Sequence, residues 1–286
     1  MDKKKPVLTD AARPATFEVE AYNEAGEMVP TSIAGEHPLT LYLDKREIVT
    51  LMTLGHAPEA LAIGYLRNQR LVDSIDAIAA VQVDWETDSV AVVTKDNSSR
   101  PAEEKKMQEE KMQKRTVTSG CGQGTMFGNL MEEIENIDLR KDVFLTDAKL
   151  FDLIEKVRKH ETIYKQAGAV HGCALASTEG EILMFVEDVG RHNAVDAIAG
   201  FMWLDTIDGS DKVFYTTGRL TSEMVIKCAQ MRIPFLVSRS GLTQMGHAIA
   251  KKTGITMLGR ASGRHYLAFT GKERLVRSLP RPTALA

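Results

Sequence analysis

The feature that most restricts the fold of this chain is a regular alternation of strand-like and helix-like segments in its second half. Short apolar runs are each followed by a longer segment with helical spacing. Strands that alternate with short helices are typical of a sheet covered by helices. We therefore predict a three-layer α/β domain over residues 116–275. Its predicted helices span 148–160, 193–204, 222–231 and 242–253, and its predicted strands span 169–176, 181–186, 212–216, 235–238, 256–258 and 264–269.

The first third of the chain predicts a smaller N-terminal α/β subdomain over residues 36–115. Strand-like runs form a predicted hairpin, and Pro58 begins an apolar segment that favours a helix. The subdomain ends in residues 95–115, an almost entirely charged and polar stretch that we interpret as a linker or a solvated face. Residues 1–35 are predicted to be a flexible tail or an edge strand, and residues 276–286 a C-terminal tail.

Composition excludes several classes of protein. The 286-residue chain has a net charge of −3, whereas general nucleic-acid binders are usually basic. No apolar run approaches the ~20 residues that span a bilayer, and no apolar region follows the N-terminal lysines as in a signal peptide. Three cysteines do not make a disulfide scaffold in a chain of this length. We therefore expect a cytoplasmic protein with free thiols that binds neither nucleic acid nor membrane.

Cys121 is the candidate reactive residue. It stands between glycines in the sequence TSGCGQGT, residues 118–125. Glycines on both sides remove side-chain bulk and permit positive φ, so the backbone can turn sharply and present the sulfur. Neighbouring backbone N–H groups can stabilise the thiolate, which is the nucleophilic form. The alternative interpretation is a buried cysteine at a tight turn.

A dense polar cluster, residues 187–196, follows a predicted strand and begins a predicted helix. This is the position at which α/β folds bind ligands. Arg191 is a candidate phosphate ligand, Asp188 or Asp196 can accept from a nucleobase, and His192 can move a proton or donate a hydrogen bond. The alternative is structural: Asp188 or Asn193 caps the helix, and Arg191 pairs with a neighbouring carboxylate.

Three further loops of similar chemistry follow predicted strands, and each carries arginine together with glycine or hydroxyl residues. Such loops suit an anionic group such as phosphate. Four arginine-bearing loops in one α/β domain predict a large, multiply anionic ligand resembling a nucleotide. Their arginines are Arg191 in 187–196, Arg219 in 216–222, Arg239 in 238–243, and Arg260 and Arg264 in 258–264.

A zinc site is the rival interpretation, because His171, Cys173 and His192 have suitable ligand atoms. Zinc nucleobase deaminases pair an H-x-E element with P-C-x-x-C, and this sequence contains no P-C-x-x-C. We therefore predict no protein-bound metal. Cys173, on a predicted strand, and Cys228, inside a predicted helix, are interpreted as core residues.

Several motifs together resemble the FdhD family of formate dehydrogenase accessory proteins. The resemblance covers about residues 37–270. Its motifs occur in an order and with a spacing typical of that family. The motifs are PLTLYLDKREIVTLMTLGHAPEALAIGYL (38–66), TSGCGQG (118–124), GAVHGCAL (168–175), EDVGRHNAVD (187–196) and TTGRLTSEMVIKCAQMRIPFLVSRSGLT (216–243).

The resemblance implies a cytoplasmic sulfurtransferase that acts as a homodimer. It would take sulfur from a cysteine desulfurase as a persulfide on Cys121 and pass it to the Mo-bis(molybdopterin guanine dinucleotide) cofactor of formate dehydrogenase. The cofactor is a bound substrate, and GDP is its expected mimic. The implied fold is similar to cytidine deaminases without their zinc. The implied cofactor region is the turn Gly259-Arg260-Ala261-Ser262-Gly263-Arg264.

One position departs from the family pattern. Some members have C-x-x-C at the thiol, whereas here Gly124 stands in the second position, which favours a relay by one cysteine. Two other functions remain open from the sequence. One is a non-catalytic chaperone that only carries the cofactor to formate dehydrogenase. The other is a nucleotide-processing hydrolase of the deaminase type.

Overall fold

The computed structural model describes residues 5–95, 116–117, 124–125, 137, 139–160 and 162–278. The chain divides into two compact units, each assembled from separated segments. The first comprises 1–132, 161–173 and 186–207, and the second comprises 133–160, 174–185 and 208–286. Segments of the two units therefore alternate along the chain. The sequence predicts instead one subdomain at 36–115 followed by a second domain at 116–275.

Six α-helices and seventeen strands occur among the described residues. The helices are α1 (Pro58–Asn68), α2 (Asp147–Lys159), α3 (Ile163–Ala167), α4 (Arg191–Leu204), α5 (Ser222–Gln230) and α6 (Gln244–Thr253). The first nine strands are β1 (Val7–Leu8), β2 (Thr16–Tyr22), β3 (Met28–Ala34), β4 (His37–Leu43), β5 (Arg46–Thr53), β6 (Ile78–Asp84), β7 (Ser89–Thr94), β8 (Thr116–Val117) and β9 (Gly124–Thr125). The others are β10 (Leu145–Thr146), β11 (His171–Ser177), β12 (Ile182–Asp188), β13 (Lys212–Thr216), β14 (Phe235–Ser238), β15 (Thr256–Ser262), β16 (His265–Ala268) and β17 (Leu275–Val276).

The first unit contains a five-stranded sheet in the order β1-β6-β7-β4-β5. The predicted hairpin is confirmed as β4 and β5, and β6 and β7 form a second antiparallel pair. Strands β4 and β7 lie parallel and join the two pairs. Alternate residues of β4, namely Leu39, Leu41 and Leu43, are buried, which explains their period of two in the sequence.

The predicted N-terminal tail is replaced by strands in the described part of residues 1–35. Strand β1 lies parallel to β6, and β2 and β3 form an antiparallel hairpin. Phe17 lies opposite Ile33, and Ala21 lies opposite Val29, so apolar side chains pair along one face of this hairpin. The alternative prediction of an edge strand near Thr16 is confirmed by β2.

Helices α1 and α4 approach so closely that their backbones touch. A Cβ atom added to Gly64 of α1 would overlap the carbonyl oxygen of Asp196, and one added to Gly200 of α4 would overlap the carbonyl oxygen of Ala60. Ten of the eleven residues of α1 are buried, because α1 contacts both α4 and the strands β6 and β7. This contact holds residues 186–207 against the N-terminal part of the first unit.

The second unit is built around parallel strands β13, β14 and β15, with β16 antiparallel to β15. They belong to a six-stranded sheet in the order β12-β11-β13-β14-β15-β16, and the boundary between the units falls within β11 and β12. Leu150, Leu153 and Ile154 of α2 pack on one face of this sheet. Helices α5 and α6 are the crossovers between consecutive parallel strands, and right-handed connections put both on the other face. The prediction of a mixed α/β fold with helices covering a sheet is confirmed.

Two predicted features of the sequence lie outside the described residues. One is the charged stretch from residue 96 to residue 115, and the other is Cys121, which stands in the sequence between β8 and β9. Those two short strands pair antiparallel, with Val117 opposite Gly124. In the part of the chain that the structure describes, no helix combines the length and apolar character needed to cross a membrane.

The contact between α1 and α4 predicts that Gly64→Ala and Gly200→Ala each destabilise the protein. An ordinary helical Gly→Ala change stabilises by about 0.5–1 kcal/mol, whereas here the methyl group meets backbone that must move. We expect the free energy of unfolding to fall by about 3 kcal/mol, measured by urea denaturation. Gly241→Ala is the control, because a Cβ there meets no atom within 4 Å. Stabilisation by Gly64→Ala would contradict the close contact.

Candidate functional site

Arginine-bearing loops of the second unit meet at one edge of its sheet. Strands β13, β14 and β15 are parallel neighbours, with Thr216 opposite Ser238 and Val237 opposite Leu258. Their carboxyl ends therefore lie side by side, and the chain that follows each strand begins at the same edge. This arrangement brings together Arg219 and Arg239, which follow β13 and β14, and Arg260, which lies within β15 two residues after its last pair with β14. We call the segments 216–221, 238–243 and 259–264 the arginine edge.

Backbone hydrogen bonds join the three segments of the arginine edge. The N–H of Arg239 donates to the carbonyl of Thr216 at 3.3 Å, and the N–H of Leu220 donates to the carbonyl of Gly241 at 3.0 Å. The N–H of Arg260 donates to the carbonyl of Ser240 at 2.9 Å. The three segments consequently form one connected surface.

Three guanidinium groups of the arginine edge, those of Arg219, Arg260 and Arg264, are available to a ligand. Arg219, Arg239, Arg260 and Arg264 are all exposed. Within the described ranges, the side chains of Arg219, Arg260 and Arg264 form no hydrogen bond and no ion pair. Several arginines without acidic partners on one surface favour a ligand with more than one anionic group, because guanidinium binds phosphate oxygens in a bidentate manner.

Residues 259–262, predicted as part of a turn, belong to the end of β15, and only Gly263 and Arg264 form the turn to β16. The backbone of this segment is unusual. Arg260 has φ +53°, in the left-handed region that is costly for a residue with a Cβ, and it lies where the register between β15 and β16 shifts. Gly263 has φ +56° and makes the turn. A Cβ at Gly259 would lie 3.0 Å from the ring of Phe269, so this glycine permits close packing. Ala261 is completely buried, so its side chain belongs to the core and is not exposed to a ligand, whereas Ser262 is exposed.

The other predicted cluster, residues 187–196, lies in the first unit and is largely buried. The Asp188 carboxylate accepts four hydrogen bonds. Oδ2 accepts from the Thr53 hydroxyl at 2.5 Å and from the Leu54 N–H at 3.1 Å. Oδ1 accepts from the Gly190 N–H at 2.9 Å and from Nδ2 of Asn193 at 2.7 Å. Burial raises the pKa of Asp188, and the four hydrogen bonds oppose that shift by favouring the charged form.

These contacts favour a structural role for Asp188, and its contact with a nucleobase stays a prediction. Both of its oxygens are occupied by protein donors, so a base would have to displace one of them. Asn193 also donates to the carbonyl of Met52 at 2.7 Å, which ties the start of α4 to the end of β5. Of the two interpretations that the sequence leaves open for Asp188, the structural one fits the geometry.

The remaining residues of this cluster are also buried. Helix α4 begins at Arg191, two residues earlier than predicted, so Arg191 and His192 occupy its first turn. Arg191 is 6% exposed, and among the described residues it forms no ion pair with Glu187 or Asp188. Asp196 is completely buried and accepts from Nδ2 of Asn68 at 2.7 Å, between α4 and α1. Asp196 therefore stabilises the helix pair.

Comparison with known proteins gives the family of the chain. The sequence profile of the FdhD/NarQ family matches residues 34–276. The chain belongs to the FdhD/NarQ family. It is 30% identical to the sulfur carrier protein FdhD of Listeria innocua over 267 residues, which cover 91% of this chain and 95% of that protein. It is also 30% identical to the sulfur carrier protein FdhD of Sulfurisphaera tokodaii over 260 residues, 89% of this chain and 95% of that protein.

A solved structure agrees with this membership. The fold is similar to the crystal structure of a Desulfotalea psychrophila protein assigned to the formate dehydrogenase accessory proteins, with a TM-score of 0.72 and 26% identity. The match covers 92% of this chain and all of that chain. The predicted family is thus confirmed, and the more specific likeness to cytidine deaminases stays a prediction.

The segment that matches the FdhD/NarQ family contains both parts of the predicted site. Cys121 lies within it but outside the described residues, and the arginine edge lies within it in the second unit. Among the described residues, no three side chains of His, Cys, Asp or Glu come together in a group suited to a metal ion. Cys173 and Cys228 are both completely buried, as predicted for core residues.

Sequence reasoning missed several residues that build these sites. Thr53 supports Asp188, and Glu187 accepts from the N–H groups of Ile163 and Tyr164 at 2.6 and 3.2 Å, at the start of α3. No local pattern marks these long-range contacts. Thr216 and Ser238, which end β13 and β14, begin the predicted loops 216–222 and 238–243, and only their bonds to the backbone were missed. In the sequence, each hydroxyl residue stands two positions before Gly218 or Ser240, a spacing that favours a turn closed by the side-chain oxygen.

The four hydrogen bonds of Asp188 predict that Asp188→Asn strongly destabilises the first unit. The amide would present an NH₂ group to two of the four donors, which would then lose their acceptor in a buried place. We expect the free energy of unfolding to fall by about 2–4 kcal/mol, measured by urea denaturation. Asp84→Asn is the control, since among the described residues this exposed carboxylate accepts from Glu86 and Thr87 nearby, and a much smaller change is expected there. Equal losses in both variants would contradict the role of Asp188.

Proposed function

We propose that this protein is a sulfur carrier that supplies formate dehydrogenase, with Cys121 as the sulfur-bearing residue. Its acceptor would be the Mo-bis(molybdopterin guanine dinucleotide) cofactor, bound as a substrate. The observation that carries the ligand part of this proposal is the arginine edge, where Arg219, Arg260 and Arg264 have no acidic partner within the described ranges. The relatives named sulfur carrier protein, which align over about nine-tenths of the chain, support the sulfur part.

The chemistry of the anionic ligand fits the arginine edge. A guanine dinucleotide carries a pyrophosphate, and guanidinium groups bind phosphate oxygens with charge-assisted hydrogen bonds. The arginines stand on loops that connected strands hold together, so little ordering is needed when the phosphate arrives. GDP presents the same guanine, ribose and pyrophosphate and is therefore the probe of choice.

Sulfur would move in two balanced steps. The Cys121 thiolate attacks the terminal sulfur of a persulfide on a cysteine desulfurase, so one S–S bond forms, another breaks, and the desulfurase cysteine leaves as a thiolate. The terminal sulfur of the Cys121 persulfide is then transferred to the cofactor. The reduced metal supplies two electrons, and Cys121 is released as a thiolate. One cysteine suffices for both steps, in keeping with Gly124 in the second position of the family's C-x-x-C.

The partners in this proposal are a cysteine desulfurase, which supplies the sulfur, and formate dehydrogenase, which receives the cofactor. We further propose a homodimer in the cytoplasm, where the Cys121 thiol stays reduced and can accept the terminal sulfur of the desulfurase persulfide. The competing proposal is a chaperone that carries the cofactor without transferring sulfur. Both require the arginine edge, whereas only the carrier requires the thiol of Cys121.

Persulfide formation on Cys121 separates the two proposals. After incubation with a cysteine desulfurase and cysteine, the intact mass should rise by one sulfur atom, and a reductant should remove the gain. We expect no gain in Cys121→Ala. Cys228→Ala should keep it, because Cys228 is completely buried and inaccessible to a partner. No gain in the wild type with an active desulfurase, together with full formate dehydrogenase activity in cells carrying Cys121→Ala, would favour the chaperone.

The left-handed backbone of Arg260 predicts that two substitutions there have the same effect on GDP binding but different effects on stability. Arg260→Ala and Arg260→Gly both remove the guanidinium, so each should weaken GDP binding by about 10-fold or more, measured by isothermal titration calorimetry. Only glycine adopts φ +53° without strain, so Arg260→Gly should be more stable than Arg260→Ala by about 0.5–1 kcal/mol. Unchanged GDP affinity in both variants would remove Arg260 from the binding site.

A further inference from the structure

Two buried hydroxyl groups lie beneath the arginine edge. Thr216 and Ser238 end the adjacent parallel strands β13 and β14, lie opposite each other in register, and are both completely buried. Neither side chain can reach a ligand at the surface. Their hydrogen bonds are directed instead at the backbone of the segments that carry Arg219 and Arg239.

These hydroxyls fix the peptide groups on both sides of Gly218. The Gly218 N–H donates to Oγ1 of Thr216 at 3.1 Å. The Gly218 carbonyl accepts from the hydroxyl of Ser238 at 2.6 Å, across from one strand end to the next. Because Arg219 directly follows Gly218, the direction of the chain entering Arg219 depends on both bonds.

The same hydroxyl of Ser238 continues the connection to the third segment. Its oxygen accepts from the N–H of Ser240 at 2.9 Å, and the carbonyl of Ser240 accepts from the N–H of Arg260 at 2.9 Å. Hydrogen bonds therefore run without interruption from the segment of Arg219, through Ser238, to the left-handed residue Arg260. Ser238 is the one side chain in this path that bonds two different segments.

We propose that Ser238 is a positioning residue that couples the three segments of the arginine edge and thereby sets its affinity for a phosphate-bearing ligand. This inference rests on the proposed function of the arginine edge. A ligand with several anionic groups must contact several arginines at once, and each segment that is free to move has to be ordered during binding. The Ser238 hydroxyl supplies that order in advance. Without it, the Gly218 carbonyl and the Ser240 N–H lose their partner.

The experiment compares Ser238→Ala with Thr253→Val, using GDP as the probe and the full-length protein. Thr253 is a matched control because its hydroxyl is also buried in the second unit and donates to the carbonyls of Ile249 and Ala250, within α6. Both variants lose a buried hydroxyl, but only Ser238 joins the arginine edge. We expect Ser238→Ala to weaken GDP binding by about three- to tenfold and Thr253→Val to leave it unchanged.

A double-mutant cycle with Arg260→Ala measures the coupling between Ser238 and Arg260 in GDP binding. A general loss of stability does not produce such coupling. If Ser238 holds Arg260 in place, removing Arg260 should weaken GDP binding less in the Ser238→Ala background than in the wild type. The corresponding cycle with Thr253→Val should be additive. Additive effects for Ser238 and Arg260, or equal affinities for Ser238→Ala and Thr253→Val, would overturn the inference. No GDP binding by the wild type would instead overturn the proposed nucleotide site.

Discussion

The first unit depends on the direct contact between the backbones of α1 and α4. Gly64 and Gly200 allow this approach because each lacks the Cβ that would overlap a carbonyl oxygen of the opposite helix. A second interaction holds the start of α4. There the buried carboxylate of Asp188 accepts hydrogen bonds from Thr53 and Leu54 at the end of β5, and from Gly190 and Asn193. The packing of α1 on α4 and the hydrogen bonds of Asp188 therefore hold the segment that contains α4 at two points. Asp188, Asn193 and Asp196 of the 187–196 motif are therefore explained by the architecture that they hold together.

In the second unit, the exposed arginines have a different role. Parallel strands place the loops at one edge, and buried hydroxyls and backbone hydrogen bonds connect them, while the guanidinium groups remain exposed. Arg260 occupies a strained left-handed position at a register shift, where glycine would fit the backbone better. A strained backbone at a solvent-exposed charged residue lowers the stability of the fold. Such strain is explained if the side chain binds a ligand, as proposed for Arg260.

The sequence predicted the elements that have a strong period and missed those that depend on distant partners. The alternating helices and strands after residue 147, apart from the short α3 and β17, follow from local patterns. The arginine edge follows from the rule that parallel strands end together. The start of α4 was misplaced because Gly190 offers no side chain as a cap. Strands β2 and β3 were partly missed because their pairing depends on cross-strand contacts between weakly alternating residues. Asp188 was given a ligand role because its partners Thr53 and Leu54 lie 135 and 134 positions away.

That long separation has a consequence for the order in which the molecule forms. Helix α1 leaves the ribosome early, yet the surface that covers it comes from α4. A ribosome that adds ~5–20 residues per second needs on the order of ten seconds to synthesise the 135 residues that separate Thr53 from Asp188. During this interval Leu61, Ile63, Tyr65 and Leu66, all buried in the finished protein, lack the helix that later packs beside them. Strands β6 and β7 can cover one face of α1 early, whereas the face that packs on α4 stays exposed in the nascent chain until α4 has been synthesised.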